Sequence, residues 1–147
     1  YNPCSETFFD LSILFGASPE LKYLNHKTDP FIHPLNIKYI VEPIEKCSNL
    51  NIVLMGYIFS QTSSFEQRQT IRDTWANRKK FPTFKTIFIV GKSFDKQINK
   101  RIKEENNLND DIIQGDFMDT LHNLTFKSMY AWKWINDNCL NAKYILK

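Results

Sequence analysis

A chain of 147 residues that is 42% hydrophobic, 24% charged and 14% aromatic has the size and balance of one soluble domain with a real core. A formal charge of +3, with no basic run longer than Arg78-Lys79-Lys80, offers nucleic acid no electrostatic footprint. No stretch approaches the roughly 18 consecutive apolar residues of a membrane helix, and no signal-peptide pattern follows Tyr1, so a span is excluded from this segment only.

Five of the six prolines (Pro3, Pro19, Pro30, Pro34, Pro43) fall early, in a segment with little periodicity. Residues 1–50 therefore read as a loop-rich, stem-like leader with one short helical turn near 19–24 and a boundary at about 47–51. Residues 51–60, Asn-Ile-Val-Leu-Met-Gly-Tyr-Ile-Phe-Ser, are a near-continuous apolar run, as expected of a strand buried on both faces. Ser63 with Glu66 three residues on has the form of a capping box, predicting a helix to about Asn77.

On that helix Phe65, Arg72, Arg68, Trp75 and Ile71 share one arc. Two arginines on an inward face need anionic partners or a hydrogen-bonding network, because an unpaired buried charge is costly. Their planar forks suit phosphate or carboxylate, so the segment points to a buried ion-pair network or an anion site.

Residues 86–90, closed by Gly91, form a second buried strand. A polar helix follows from Asp95 to about Asn107, with Ile98 and Ile102 at i, i+4 spacing. Residues 111–115 are a short third strand, and Asp119 is placed to cap a long helix whose apolar arc holds Leu121, Leu124, Ser128, Ala131, Trp132, Ile135 and Cys139. Residues 142–147 read as a fourth strand that closes the chain without a following turn, which predicts truncation. Strands alternating with helices mean an α/β fold with a largely parallel sheet.

Three cysteines (Cys4, Cys47, Cys139) lack Cys-x-x-Cys spacing, which argues against zinc and leaves free thiols and disulfides both open. His26, His33 and His122 show no ligand spacing. The first strand is followed by Ser-Gln-Thr-Ser-Ser-Phe, with no glycine-rich phosphate loop.

Four motifs now stand in order: Arg68-x-x-x-Arg72-x-Thr74-Trp75; Ile87-Phe-Ile-Val-Gly91; Asp111-Ile-Ile-Gln-Gly-Asp116-Phe117-x-Asp119-Thr120-x-x-Asn123-Leu124-Thr125-x-Lys127; and Trp134-x-x-x-x-Cys139 followed by Ala142-Lys-Tyr-Ile-Leu-Lys147. Together they resemble the β-1,3-galactosyltransferase and β-1,3-N-acetylglucosaminyltransferase family (glycosyltransferase family 31) over residues 51–147. The resemblance implies the N-terminal, nucleotide-sugar-binding half of a GT-A catalytic domain, Rossmann-like and cut short before its metal-binding Asp motif.

It further implies an inverting hexosyltransferase that moves galactose or N-acetylglucosamine from a UDP-sugar to an acceptor glycan on glycoprotein or glycolipid. A single-pass type II Golgi membrane protein is implied, anchored upstream of Tyr1, with a luminal catalytic domain. The divalent cation, usually Mn²⁺, and the catalytic base would both depend on residues beyond Lys147, so this segment alone would be inactive. A non-catalytic nucleotide-sugar-binding module of the same fold is the alternative.

By the same resemblance Arg68, Arg72, Asp116 and Lys127 are donor-binding candidates. The structural alternatives are arginine pairing with Asp116 or Asp119, a helix cap for Asp119, and a Lys127–Asp116 pair; Trp75 is expected in the core. No metal ligand is expected in this chain. Cys47 is the expected partner of Cys139, a bridge that an oxidising lumen would allow, leaving Cys4 to a partner beyond Lys147. Asn123-Leu-Thr125 is an N-glycosylation sequon that also belongs to the family motif.

Overall fold

A computed structural model describes residues 37–147; the helical turn expected near 19–24, together with Cys4, His26 and His33, lies outside them. In chain order the elements are β1 (Tyr39–Val41), a 3-10 turn (Cys47–Asn49), β2 (Leu54–Phe59), α1 (Phe65–Asp73), β3 (Phe84–Lys92), α2 (Lys96–Asn109), β4 (Ile112–Met118), a second 3-10 turn (Leu121–Asn123), α3 (Leu124–Asn138) and β5 (Tyr144–Leu146). The five strands form one sheet in the order β1-β4-β3-β2-β5. β2, β3, β4 and β5 run parallel, and β1 adds antiparallel to β4. This is the mostly parallel α/β arrangement expected of a GT-A, Rossmann-like half.

The pleat sorts side chains to two covered faces. On one, Phe88, Val90 and Ile112 pack with Ile102 of α2, backed by Ile58, Phe65, Ile71 and Ile98. On the other, α3 meets Tyr57 through Trp132 and Phe117 through Tyr130. β3 lies centrally and is buried from Lys85 to Gly91, which explains its apolar run: both faces are covered.

Residues 37–50, read from composition as leader, contribute β1 and much of the bracing around α3. A three-residue strand carries no readable period. Trp134 Nε1 donates to Glu42 Oε2 at 3.1 Å, and Asn106 Nδ2 to Glu42 O at 3.1 Å. Cys47 and Cys139 are joined by a disulfide, so the 3-10 turn before β2 is tied to the end of α3.

Three local expectations are corrected. Ser64, not Ser63, precedes α1, and it makes no side-chain cap bond; Ser63 instead lies exposed in the turn after β2. α1 ends at Asp73, where Thr74 leaves helical geometry (φ −107°, ψ −106°) and its hydroxyl bonds Thr70 O at 2.7 Å. Trp75 is therefore 48% exposed and stacks on Phe84 instead of entering the core.

α3 begins at Leu124, five residues later than expected; Ala131, Ile135 and Cys139 face inward as expected, but Lys127, Tyr130 and Trp134 share the buried face in place of Leu121, Leu124 and Trp132. Leu121 is 80% exposed, while Trp134, bonded to Glu42, is fully buried in place of Trp132.

Candidate functional site

In open α/β sheets ligands bind beyond the carboxyl ends of the strands. A cleft of about 430 Å³ opens there, between the segment after β2 and the segment joining β4 to α3. Ser60, Gln61 and Thr62 form one wall; Asp119, Thr120 and Lys127 form the other side and the floor. Leu121 and Leu124 line the rim, and their exposure belongs to this opening.

Lys127 sits one turn into α3 and is nearly sealed. Its Nζ donates to Ser60 O at 2.7 Å and pairs with Asp119 Oδ1 at 2.6 Å; the two side chains are 4% and 7% exposed. Lys127 thus joins the two walls. An ammonium has three donors, and two are used here.

Asp119 is not a helix cap. Its second oxygen accepts from Gly91 N at 3.3 Å, and both of its oxygens are thereby committed to the cleft floor. The approach depends on glycine: a Cβ on Gly91 would lie 2.7 Å from Phe117 O and 2.8 Å from Asp119 N. Asn123 Nδ2, the atom that a glycan would occupy, donates to Met118 O at 2.8 Å and closes the turn into α3.

The arginines form a network, and its acids are not Asp116 or Asp119. Arg68 Nε donates to Glu105 Oε1 at 2.9 Å, and its NH2 meets Glu105 Oε2 at 2.6 Å. Arg72 NH1 donates to the same Glu105 at 2.7 Å, while its Nε and NH2 fork onto Asp111 at 2.7 and 2.8 Å. Two cations face two anions between α1, α2 and the start of β4. The partners respond in opposite senses to enclosure. At Asp111 burial outweighs the Arg72 fork and lifts the carboxyl above its usual range. At Arg72 burial opposes the charge, but bonds from Asp111 and Glu105 outweigh it and hold the guanidinium as a cation.

Arg68 is fully buried and lines no part of the cleft, nor does Arg72. Arg68 NH1 nevertheless reaches Ser60 Oγ at 2.9 Å and Gln61 O at 2.6 Å, and NH2 reaches Thr62 O at 3.3 Å. It backs the cleft wall from inside the protein.

Asp116 also stands outside the cleft. It is exposed and ion-paired to Lys92 at 2.5 Å, which holds its carboxyl below the usual range. Of the four donor-binding candidates, the structure brings only Lys127 into the cleft.

Sequence reasoning missed Glu105 and Ser60. Glu105 could have been found: with Ile98 and Ile102 it falls on the apolar stripe of α2 at i, i+4, i+7, and an acid on such a stripe calls for a buried cation. Ser60 had no signal of its own.

Among the described residues no group of three His, Cys, Asp or Glu side chains gathers where a cation could be held. The one carboxylate lining the cleft is Asp119, already bonded to Lys127 and Gly91.

The model of a family described as Galactosyltransferase matches residues 66–147. Beta-1,3-galactosyltransferase 1 of Homo sapiens is 33% identical over 146 residues, covering 97% of this chain and 43% of the relative. UDP-GalNAc:beta-1,3-N-acetylgalactosaminyltransferase 1 of Mus spicilegus is 34% identical over 121 residues, 79% of this chain and 37% of its own length. Lactosylceramide 1,3-N-acetyl-beta-D-glucosaminyltransferase A of Danio rerio is 30% identical over 117 residues, 74% of this chain and 31% of its own length. The chain thus spans less than half the length of these relatives.

Proposed function

Because this chain belongs to the galactosyltransferase family, we propose that the whole protein is an inverting hexosyltransferase. It moves galactose or N-acetylglucosamine from a UDP-sugar to a hydroxyl of an acceptor glycan, on glycoprotein or glycolipid, in β-1,3 linkage. The relatives' names support this class: they are transferases of galactose, N-acetylglucosamine and N-acetylgalactosamine with 1,3 linkage in common.

The observation that carries the reading is the buried Lys127 ammonium at the floor of a cleft beyond the carboxyl ends of parallel strands. In this reading the cleft receives the nucleotide diphosphate. Lys127, with one donor uncommitted, faces its charge as the leaving group develops. Ser60, Gln61, Thr62 and Thr120 shape the walls. Arg68 acts behind the wall, and Arg72 and Asp116 line no part of the cleft. A divalent cation, Mn²⁺ by the resemblance, would neutralise the diphosphate, with ligands from outside the described residues. The base that deprotonates the acceptor hydroxyl is assigned to none of them.

We place the protein in the Golgi membrane, type II with a luminal catalytic domain. The Cys47–Cys139 disulfide suits an oxidising lumen. No helix among the described residues is long and apolar enough to cross a membrane, so an anchor would lie elsewhere.

The test is calorimetric titration of UDP into the full-length protein, with and without Mn²⁺, alongside transfer from UDP-galactose and UDP-N-acetylglucosamine. Mn²⁺-dependent binding that Lys127→Ala weakens by about tenfold or more is expected. Binding without transfer would favour a non-catalytic module; absence of UDP binding would overturn the cleft assignment.

A further inference from the structure

The wall formed by Ser60, Gln61 and Thr62 is held from within by two local bonds only, from Ser64 N and from Ser60 Oγ to Gln61 O, each at 3.2 Å. Its sequence, Ser-Gln-Thr-Ser-Ser, contains neither glycine nor proline to fix a turn. The segment leaves the sheet at once, with Ser60 N still bonded to Ile89 O at 3.1 Å. Beyond that point only Gln61 O finds donors inside the segment, and the rest of the wall needs them from elsewhere, since buried carbonyls are rarely left unpaired.

Arg68 supplies them. One edge of its guanidinium is taken by Glu105 through Nε and NH2. The remaining donors reach Ser60 Oγ, Gln61 O and Thr62 O. From the cleft side, Lys127 Nζ holds Ser60 O at 2.7 Å. Ser60 is therefore gripped twice, through its hydroxyl from behind and through its carbonyl from in front. With no exposed surface, Arg68 cannot itself meet a ligand.

We propose that Arg68 is a positioning residue which, fixed in orientation by Glu105, sets the wall Ser60–Gln61–Thr62 against Lys127 and so fixes the shape that receives the nucleotide. The inference rests on the donor-cleft reading above and deepens it. It also assigns a role to Glu105, which sits on α2 and lines no part of the cleft. Lysine cannot replace Arg68, because a single ammonium with three donors cannot bridge a carboxylate and three loop acceptors in one plane.

The experiment uses the full-length protein with Arg68→Lys, Glu105→Gln and Asp111→Asn. Asp111→Asn disturbs the far end of the same network and touches nothing in the cleft, so it controls for lost stability. Two quantities are read well below each melting temperature: amide exchange without ligand at Ser60 and Ser64, whose N–H groups bond Ile89 O and Gln61 O, and donor KM against kcat and acceptor KM.

Arg68→Lys and Glu105→Gln are expected to speed exchange at Ser60 and Ser64 and to raise donor KM on the order of tenfold, with acceptor KM unchanged. Asp111→Asn is expected to lower the melting temperature while leaving both readings as they were. Unchanged exchange in Arg68→Lys would overturn the clamp, and faster exchange with unchanged donor KM would overturn its bearing on the donor. Equal effects from Asp111→Asn would reduce Arg68 to a stability role. Failure of the unaltered protein to bind UDP would instead overturn the cleft reading itself, and the inference with it, whatever the exchange rates.

Discussion

Lys127 and Asp119 meet at 2.6 Å across the floor of the cleft, each with less than a tenth of its side chain exposed. Neither charge can be removed alone without stranding the other in a nearly dry site. Lys127→Met should therefore destabilise the fold by about 3–5 kcal/mol, and Lys127→Met/Asp119→Leu should recover part of that loss while still failing to bind UDP. Denaturant unfolding of the three proteins checks it. A double variant no more stable than Lys127→Met would show that the two charges are not coupled.

Glu105 is the hub of the arginine network, accepting from Arg68 and Arg72 together. Glu105→Ala leaves two cations facing only Asp111, and a loss of about 3–5 kcal/mol is expected. Chemical denaturation is the measurement, and a loss below about 1 kcal/mol would place the network among weak surface pairs.

Gly91 lies close against the main chain at the end of β4. An added methyl would meet main-chain atoms, Phe117 O and Asp119 N, neither of which can rotate away. Gly91→Ala should cost about 1–3 kcal/mol and should displace Asp119, so that thermal stability and UDP affinity fall together. An unchanged melting temperature would contradict the geometry.

Asp116 titrates below the ordinary carboxylate range because of its hydrogen bond to Lys92. Since its folded pKa is depressed, the pair stabilises the fold above the unfolded carboxylate pKa, near ~3.9, and that contribution is lost as pH falls through the folded value. The group is exposed, so salt should largely abolish the effect. Carbon-detected titration of the Asp116 carboxyl should give a low midpoint that returns to normal in Lys92→Met or at high salt. A midpoint indifferent to Lys92 would sink the assignment.

The Cys47–Cys139 bridge spans 92 residues of sequence. In the chain-entropy account such a crosslink stabilises by about 4–5 kcal/mol. Cys47→Ser/Cys139→Ser should show most of that loss in denaturant, and a loss under about 1 kcal/mol would mean that the unfolded chain is already constrained.

Much of this architecture is legible from apolar runs. β2 and β3 are buried on both faces and announce themselves; α2 declares its start through Asp95, whose carboxylate accepts from Gln97 N at 2.7 Å. β1 is illegible because three residues on a sheet edge carry no period. The inward arc of α3 is legible at Ala131, Ile135 and Cys139 but not at Lys127 and Trp134, which are buried through polar bonds to Asp119, Ser60 and Glu42 that hydrophobicity alone cannot rank. The arginines could be recognised as charges needing partners. Choosing Glu105 and Asp111 over Asp116 and Asp119 required knowing that α1 lies beside α2, and that adjacency is set by the sheet order, which no local pattern encodes.

The disulfide has a topological consequence. Between Cys47 and Cys139 the chain is a closed covalent ring that carries β2, β3 and β4 with α1, α2 and α3. A protease cut at the exposed Lys79-Lys80 stretch would open this ring without dividing the molecule. The nicked protein would migrate as one species until a reductant was added, and the two halves of the cleft, Ser60 before the cut and Lys127 after it, would remain tethered in a single particle.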